Sequence, residues 1–191
     1  MDAKDAQESI SLREKVNLMN IFVLFSALGF IFSTFQPRDF IWLILVECSI
    51  LWFLIEVYHN RNNPGALKKA AIMGLSLALV GFVAENVGGT LGLWGILESV
   101  LFIGYMPIEV ILICFLVGFA WSLYLPGEFN KNYSLYDVLL FSIFGTLGEI
   151  ALVNNGIMQY NDGWGTPFVF AGYLMVWVLL HITNYKVLQD F

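Results

Sequence analysis

The sequence predicts an all-α membrane protein, a six-transmembrane-helix bundle built from paired hairpins with both termini cytoplasmic. Three observations predict it. The 191 residues are 59% hydrophobic and only 13% charged, where soluble domains carry roughly 25% charged residues, and mean hydropathy is +0.75. Six apolar runs each approach the ~20 residues needed to cross a hydrocarbon core. The basic residues fall almost entirely on one side of those runs, the side that the positive-inside bias assigns to the cytoplasm. A net charge of −6 excludes a nucleic-acid partner, which would need a basic face.

Residues 1–15 form a polar N-terminal segment, too long and too acidic for the n-region of a signal peptide. The apolar run after it has no Ala-x-Ala-like exit. An uncleaved start follows, with an interfacial helix as one option. Residues 16–186 make a single six-helix transmembrane domain. Its first span runs from Val16 to Phe35 and stops at Gln36-Pro37-Arg38-Asp39. The second, Phe40 to Tyr58, ends in the polar loop His59-Asn60-Arg61-Asn62-Asn63-Pro64-Gly65. The third covers Ala70 to Val87, the fourth Pro107 to Leu125, the fifth Leu135 to Val153 and the sixth Pro167 to Tyr185. Proline suits the first turn of the fourth and sixth spans, where its missing N–H costs nothing. Lys4, Arg13, Lys15, Arg61, Lys68, Lys69, Lys131 and Lys186 all fall on the side of the termini, against Arg38 alone on the other.

The hairpins 70–125 and 135–185 repeat weakly, running in the same direction. Glu85 closes one apolar run and Glu149 another, with a glycine seven positions later in each copy, Gly92 and Gly156. Gly104-Tyr105-Met106-Pro107 and Gly165-Thr166-Pro167 then open the next spans.

At a rise of 1.5 Å per residue, Glu85 and Glu149 each lie roughly 21–22 Å above the cytoplasmic face. Glu47 lies about 10 Å below the outer face and Glu109 only a few ångströms below it. Four carboxyls from four spans thus converge on the outer half. An acid there costs about 2.5–3.5 kcal/mol, so it normally turns inward and works. Desolvation favours the neutral acid, and no Lys or Arg within a span can neutralise it. Proton donation is therefore feasible, whereas anion binding by a buried cation is not. Simpler readings stand beside this one. Glu98, Glu109 and Glu56 could be solvated at an interface, and Glu47 could serve an interhelical hydrogen bond. Asn86, Asn154 and Asn155 could be plain helix-end caps, and Gly88-Gly89 a turn or close helix contact. His59 and His181 are too few for a membrane metal site, so neither metal nor cofactor is expected. Cys48 and Cys114, inside apolar runs, read as small hydrophobes.

Glu85-x-x-Gly88, Gly92-Leu93-Trp94 and Gly104-Tyr105-Met106-Pro107-Ile108-Glu109 resemble the lycopene cyclase domains and related carotenoid hydratases, small membrane proteins of carotenoid biosynthesis. The similarity covers about Gly81 to Leu180. Two departures are visible: Val110 stands where a second acid is expected after Glu109, and Pro167-Phe168-Val169-Phe170 has no acid. The resemblance implies acid–base cyclisation or hydration of a polyene or isoprenoid lipid, with no cofactor. It assigns Glu85 and Glu149 as the acid/base pair with Glu109 as a further catalytic carboxyl. Glu47, Asn86, Trp94, Tyr105, Asn155, Tyr160 and Trp164 would line the substrate, their aromatic faces stabilising a carbocation. The expected partner is a membrane lipid or apolar isoprenoid, with a homo-oligomer or companion membrane subunit as options. The rival is a small transporter, proton or cation pathway, or lipid-binding subunit without catalysis.

Overall fold

The computed structural model describes residues 11–35, 40–161 and 163–188. They form six α-helices: α1 (Leu12–Phe35), α2 (Ile41–Asn60), α3 (Pro64–Thr90), α4 (Ile108–Tyr124), α5 (Lys131–Asn154) and α6 (Thr166–Ile182), the last continued by one π-helical stretch, Thr183–Val187. Five are long and apolar enough to cross a membrane, counting α6 with its π continuation. The sixth, α4, is apolar but has only 17 residues. Residues 1–10, the stop at Gln36-Pro37-Arg38-Asp39 and the last three residues lie outside the described residues.

Helices α1, α3 and α5 each start about four to six residues earlier than their apolar runs, because local capping chemistry starts them. At α1, the Glu14 N–H donates to the Ser11 hydroxyl at 3.2 Å and the Ser11 N–H to Glu14 Oε2 at 2.6 Å. At α3, the Asn63 side chain accepts from the Ala66 N–H at 3.1 Å and Pro64 supplies a ready-made first turn. At α5, the Asn130 side chain accepts from the N–H groups of Asn132 and Tyr133 at 3.0 and 3.1 Å. Lys68, Lys69 and Lys131 are therefore helical and not loop residues.

The bundle is built from hairpins, as the repeat suggests: α3 packs along α4 and α5 along α6, while α2 lies on α4 and α1 on α5. Glycine sets the closeness of the first pair. A Cβ on Gly74 would lie 2.6 Å from the Phe115 carbonyl oxygen, and one on Gly118 would lie 3.0 Å from that of Met73. Small residues at such a crossing let two backbones touch, which is how helices associate where lipid removes the hydrophobic drive. The core between the hairpins holds Met73, Trp121, Tyr133, Phe141 and Trp177. Its reverse side is equally informative: Leu75, Leu79 and Val83 make an exposed apolar stripe down α3, each more than half exposed. Water would penalise such a stripe, whereas hydrocarbon accepts it.

At one end of the bundle lie four very short strands: β1 (Trp94–Ile96), β2 (Phe102–Ile103), β3 (Met106–Pro107) and β4 (Met158–Tyr160). β2 pairs with β3 within one connection, and β1 pairs with β4 across the two hairpins.

Candidate functional site

The site is assembled by two helix ends that terminate alike. In α3, the Gly92 N–H bonds the Gly89 carbonyl at 3.1 Å and the Leu93 N–H bonds the Gly88 carbonyl at 2.9 Å. In α5, Gly156 bonds Val153 and Ile157 bonds Leu152, each at 3.0 Å. Gly92 and Gly156 have φ of 66° and 69°. This is the Schellman stop, which glycine satisfies without the Cβ penalty of the left-handed region. The recurrence is regular: 64 residues separate Gly92 from Gly156, Glu85 from Glu149, and each residue of β1 from its counterpart in β4.

The strands then pair antiparallel with Trp94 opposite Tyr160, Gly95 opposite Gln159 and Ile96 opposite Met158. Flanking bonds run from the Leu97 N–H to the Ile157 carbonyl at 2.7 Å and from the Asn161 N–H to the Leu93 carbonyl at 3.0 Å. Each element of this register maps onto its partner under the same 64-residue offset. A local two-fold axis therefore passes between Gly95 and Gln159, and the ribbon joins two copies of one hairpin.

The carboxyls hang beneath the ribbon. Trp94 Nε1 donates to Glu85 Oε2 at 2.8 Å, and the Tyr160 hydroxyl donates to Glu149 Oε2 at 2.9 Å. Because Trp94 and Tyr160 are directly opposed, one pair of strand residues supplies both donors. Tyr173 of α6 brings a second hydroxyl to the Glu149 carboxyl, and Cys114 of α4 lies within electrostatic reach of Glu85. Glycines open those approaches: a Cβ on Gly81 would sit 3.2 Å from the Cys114 sulfur, and one on Gly145 would sit 2.7 Å from the Tyr173 ring. Glu85 lies within electrostatic reach of Glu149. Among the described residues neither pairs with a Lys or Arg. Burial, and then the Glu149 carboxylate, push the Tyr160 hydroxyl above its ordinary range, so it remains a donor. The Trp94 ring packs against Trp164 with centroids 4.6 Å apart, and Trp164 stacks on Phe168 at 5.5 Å.

Five of the sequence-derived site residues thus come together: Glu85, Glu149, Trp94, Tyr160 and Trp164. The others sit apart. Asn86 faces the β2–β3 turn, where its Oδ1 accepts from the Tyr105 N–H at 3.2 Å and its Nδ2 donates to the Phe82 carbonyl at 2.8 Å. Tyr105 is half exposed, its ring lying over Gly89. Asn155 caps α5, its Nδ2 donating to the Ala151 carbonyl at 2.8 Å. Glu109 ties down its own connection, accepting from the Ser99 hydroxyl at 2.5 Å and the Val100 N–H at 2.9 Å. It lines a groove of about 560 Å³ with Trp42, Val46, Glu98 and Leu112. Glu47 is exposed on α2.

Three groups were not foreseen from the sequence. Tyr173 and Cys114 look like ordinary residues of apolar spans and reach the carboxyls only through the helix crossing. A second polar cluster lies toward the far end of the bundle: Asp137 Oδ2 accepts from Trp121 Nε1 at 2.8 Å and meets His181 Nε2 at 2.9 Å. An acid inside an apolar run was the available signal for Asp137.

No known protein family, curated protein or solved structure matches the chain.

Proposed function

We propose that the chain spans the membrane six times with cytoplasmic termini, and that Glu85 and Glu149 form an acid–base pair in the outer half acting on an apolar isoprenoid or polyene. One observation carries this reading: two carboxyls related by a local two-fold, close enough to interact, each held by a neutral aromatic donor and by no cation. Desolvated carboxyls that share a site divide their protons unequally. One member is then a neutral acid and the other a base.

The corresponding chemistry balances without a cofactor. The neutral carboxyl gives its proton to one carbon of a C=C bond, leaving a carbocation on the other. Trp94 and Trp164 offer π faces to that cation. A second C=C bond of the same chain attacks that cation to close a ring, and the other carboxylate removes a proton beside the new cationic carbon. Without ring closure the same deprotonation shifts the double bond, or the carboxylate takes a proton from water as its oxygen adds to the cation. The resemblance to lycopene cyclase domains and carotenoid hydratases points to the same substrate class. The cytoplasmic assignment rests on the basic residues that flank the spans on one side.

Expression in cells that accumulate lycopene or geranylgeranyl lipids tests the proposal. Wild type is expected to convert part of the pool to a cyclised or hydrated product, and Glu85→Gln or Glu149→Gln to reduce that conversion at least 100-fold, the scale of a lost general acid or base (~10²–10⁴-fold). An unchanged pigment and lipid profile for wild type across these substrates would reject it.

A further inference from the structure

The polar cluster at the other end of the α5–α6 pair has no part in that chemistry. Along this pair the contacts form a ladder. Asp137 meets His181 at 2.9 Å, the Phe141 ring lies 4.3 Å from Trp177, and the Gly145 position faces the Tyr173 ring. Glu149 closes the series beside Tyr173 and Tyr160. Asp137 and Glu149 are twelve residues apart on one helix, which is about 18 Å. Trp177 also packs edge-on against Trp121 at 5.2 Å, so an aromatic layer separates the two ends.

Asp137 is fully buried, Tyr133 likewise, and His181 and Ser134 are 5% and 7% exposed. Four atoms here have no hydrogen-bond partner among the described residues: Asp137 Oδ1, His181 Nδ1, the Tyr133 hydroxyl and the Ser134 hydroxyl. Three belong to a single turn of α5, and the fourth to the imidazole that this turn holds. Leaving a buried polar atom unsatisfied costs its full desolvation, and a folded protein is only marginally stable. A set of four is therefore the mark of something that binds. The ligand must donate to a carboxylate oxygen, meet an imidazole nitrogen in either tautomer and accept from two hydroxyls. Water carrying an exchangeable proton meets all of these demands. A metal ion does not fit, because no group of three or more His, Cys, Asp or Glu among the described residues is placed to hold one.

We propose that Asp137 and His181, with the Tyr133 and Ser134 hydroxyls, form an internal proton-binding site that exchanges with the cytoplasmic side. The reaction is a transfer of a proton from hydronium to the imidazole: one O–H bond breaks, one N–H bond forms, and neutral water is left beside an imidazolium paired with the Asp137 carboxylate. The groups around it describe the way in. Tyr133 lies within electrostatic reach of Glu14 of α1, of Tyr124 of α4 and of Tyr185 in the π stretch. Tyr124 in turn feels Glu56 of α2, which has Arg13 and His59 nearby. Lys69 of α3 sits 6.0 Å over the Tyr185 ring.

The site is independent of the outer carboxyl pair, and so is its test. His59 is exposed, so His59→Gln leaves His181 as the one imidazole to observe by 15N NMR of the full chain in nanodiscs. In that background the His181 ring nitrogen signals are expected to change reversibly with pH. Asp137→Asn removes the paired charge and should shift the midpoint of that change by at least tenfold in proton concentration. Tyr133→Phe, which keeps the ring, should move it by less but measurably. A His181 signal that does not change from about pH 4 to pH 9 overturns the proposal. So does a midpoint that is the same in wild type, Asp137→Asn and Tyr133→Phe. The His59→Gln titration stands by itself if Asp137→Asn does not fold.

Discussion

Glu85 holds an indole and Glu149 a phenol, so the two halves of the pair differ although the backbone beneath them repeats. An indole N–H can only donate, whereas a phenol donates or accepts. Trp94→Phe should therefore free Glu85 at a stability loss of about 1 kcal/mol for a neutral hydrogen bond. Tyr160→Phe should cost less, because Tyr173 still serves Glu149; chemical or thermal unfolding in detergent reads the difference. Gly88 supplies a sharper test, since a Cβ there would collide with the Trp94 ring itself. Gly88→Ala is expected to cost about 1–3 kcal/mol through overpacking and to shift the tryptophan emission as the indole leaves Glu85. The sequence carried the acids plainly, because a carboxyl at spanning depth is rare. It offered Trp94 and Tyr160 as lining residues, but not as the hydrogen-bond donors of these acids. Trp94 follows its glutamate by nine residues and Tyr160 by eleven, so no fixed spacing flags both. Asp137 and His181 stayed hidden for the same reason: 44 residues separate them, and only the antiparallel α5–α6 packing brings them together.

At the level of elements, the seven-residue interval from glutamate to glycine had a physical meaning that its letters alone did not reveal. It is the distance from the last inward-facing acid to the Schellman glycine that ends the helix and turns the chain into a strand. Both glycines have φ near +66° to +69°, where a side chain costs about 1–2 kcal/mol. Gly92→Ala and Gly156→Ala are each expected to lower stability by about that amount, and equally, because the two turns share one geometry. Unequal losses in unfolding experiments would show that the two hairpins are not equivalent. The helices were legible nearly to their ends, since an apolar run of fixed length is a strong signal. The strands were not: three residues of Trp-Gly-Ile or Met-Gln-Tyr give no alternating pattern to read. The early starts of α3 and α5 came from Asn63 and Asn130, where capping outweighs hydropathy.

For the whole molecule, the ribbon is where the described residues join the two hairpins backbone to backbone, so it fixes the relative placement of Glu85 and Glu149. Its register and its orientation can be tested together. Gly95 and Gln159 are directly opposed, and in an antiparallel ladder such residues lie about 5.5 Å apart at Cα, within disulfide range. Their side chains point away from Trp94 and Tyr160, since neighbours along a strand alternate faces, and a Cβ on Gly95 meets nothing within 4 Å. In a background lacking Cys48 and Cys114, the pair Gly95→Cys and Gln159→Cys should close under mild oxidation, whereas Gly95→Cys with Asn161→Cys, two residues further along the same face and about 7–8 Å away on the diagonal, should close poorly. On the proposed topology, a membrane-impermeant thiol reagent added to intact cells should block the Gln159→Cys thiol and leave Asn62→Cys, in the loop between α2 and α3, untouched until the cells are opened. The reverse labelling pattern would move the carboxyl pair to the cytoplasmic half and the Asp137–His181 site to the outer one. Closure of the disulfide without loss of activity would show that substrate reaches the carboxyls sideways through the lipid-facing helices. Loss of activity on closure, restored by reduction, would show that the hairpins must part for it to enter.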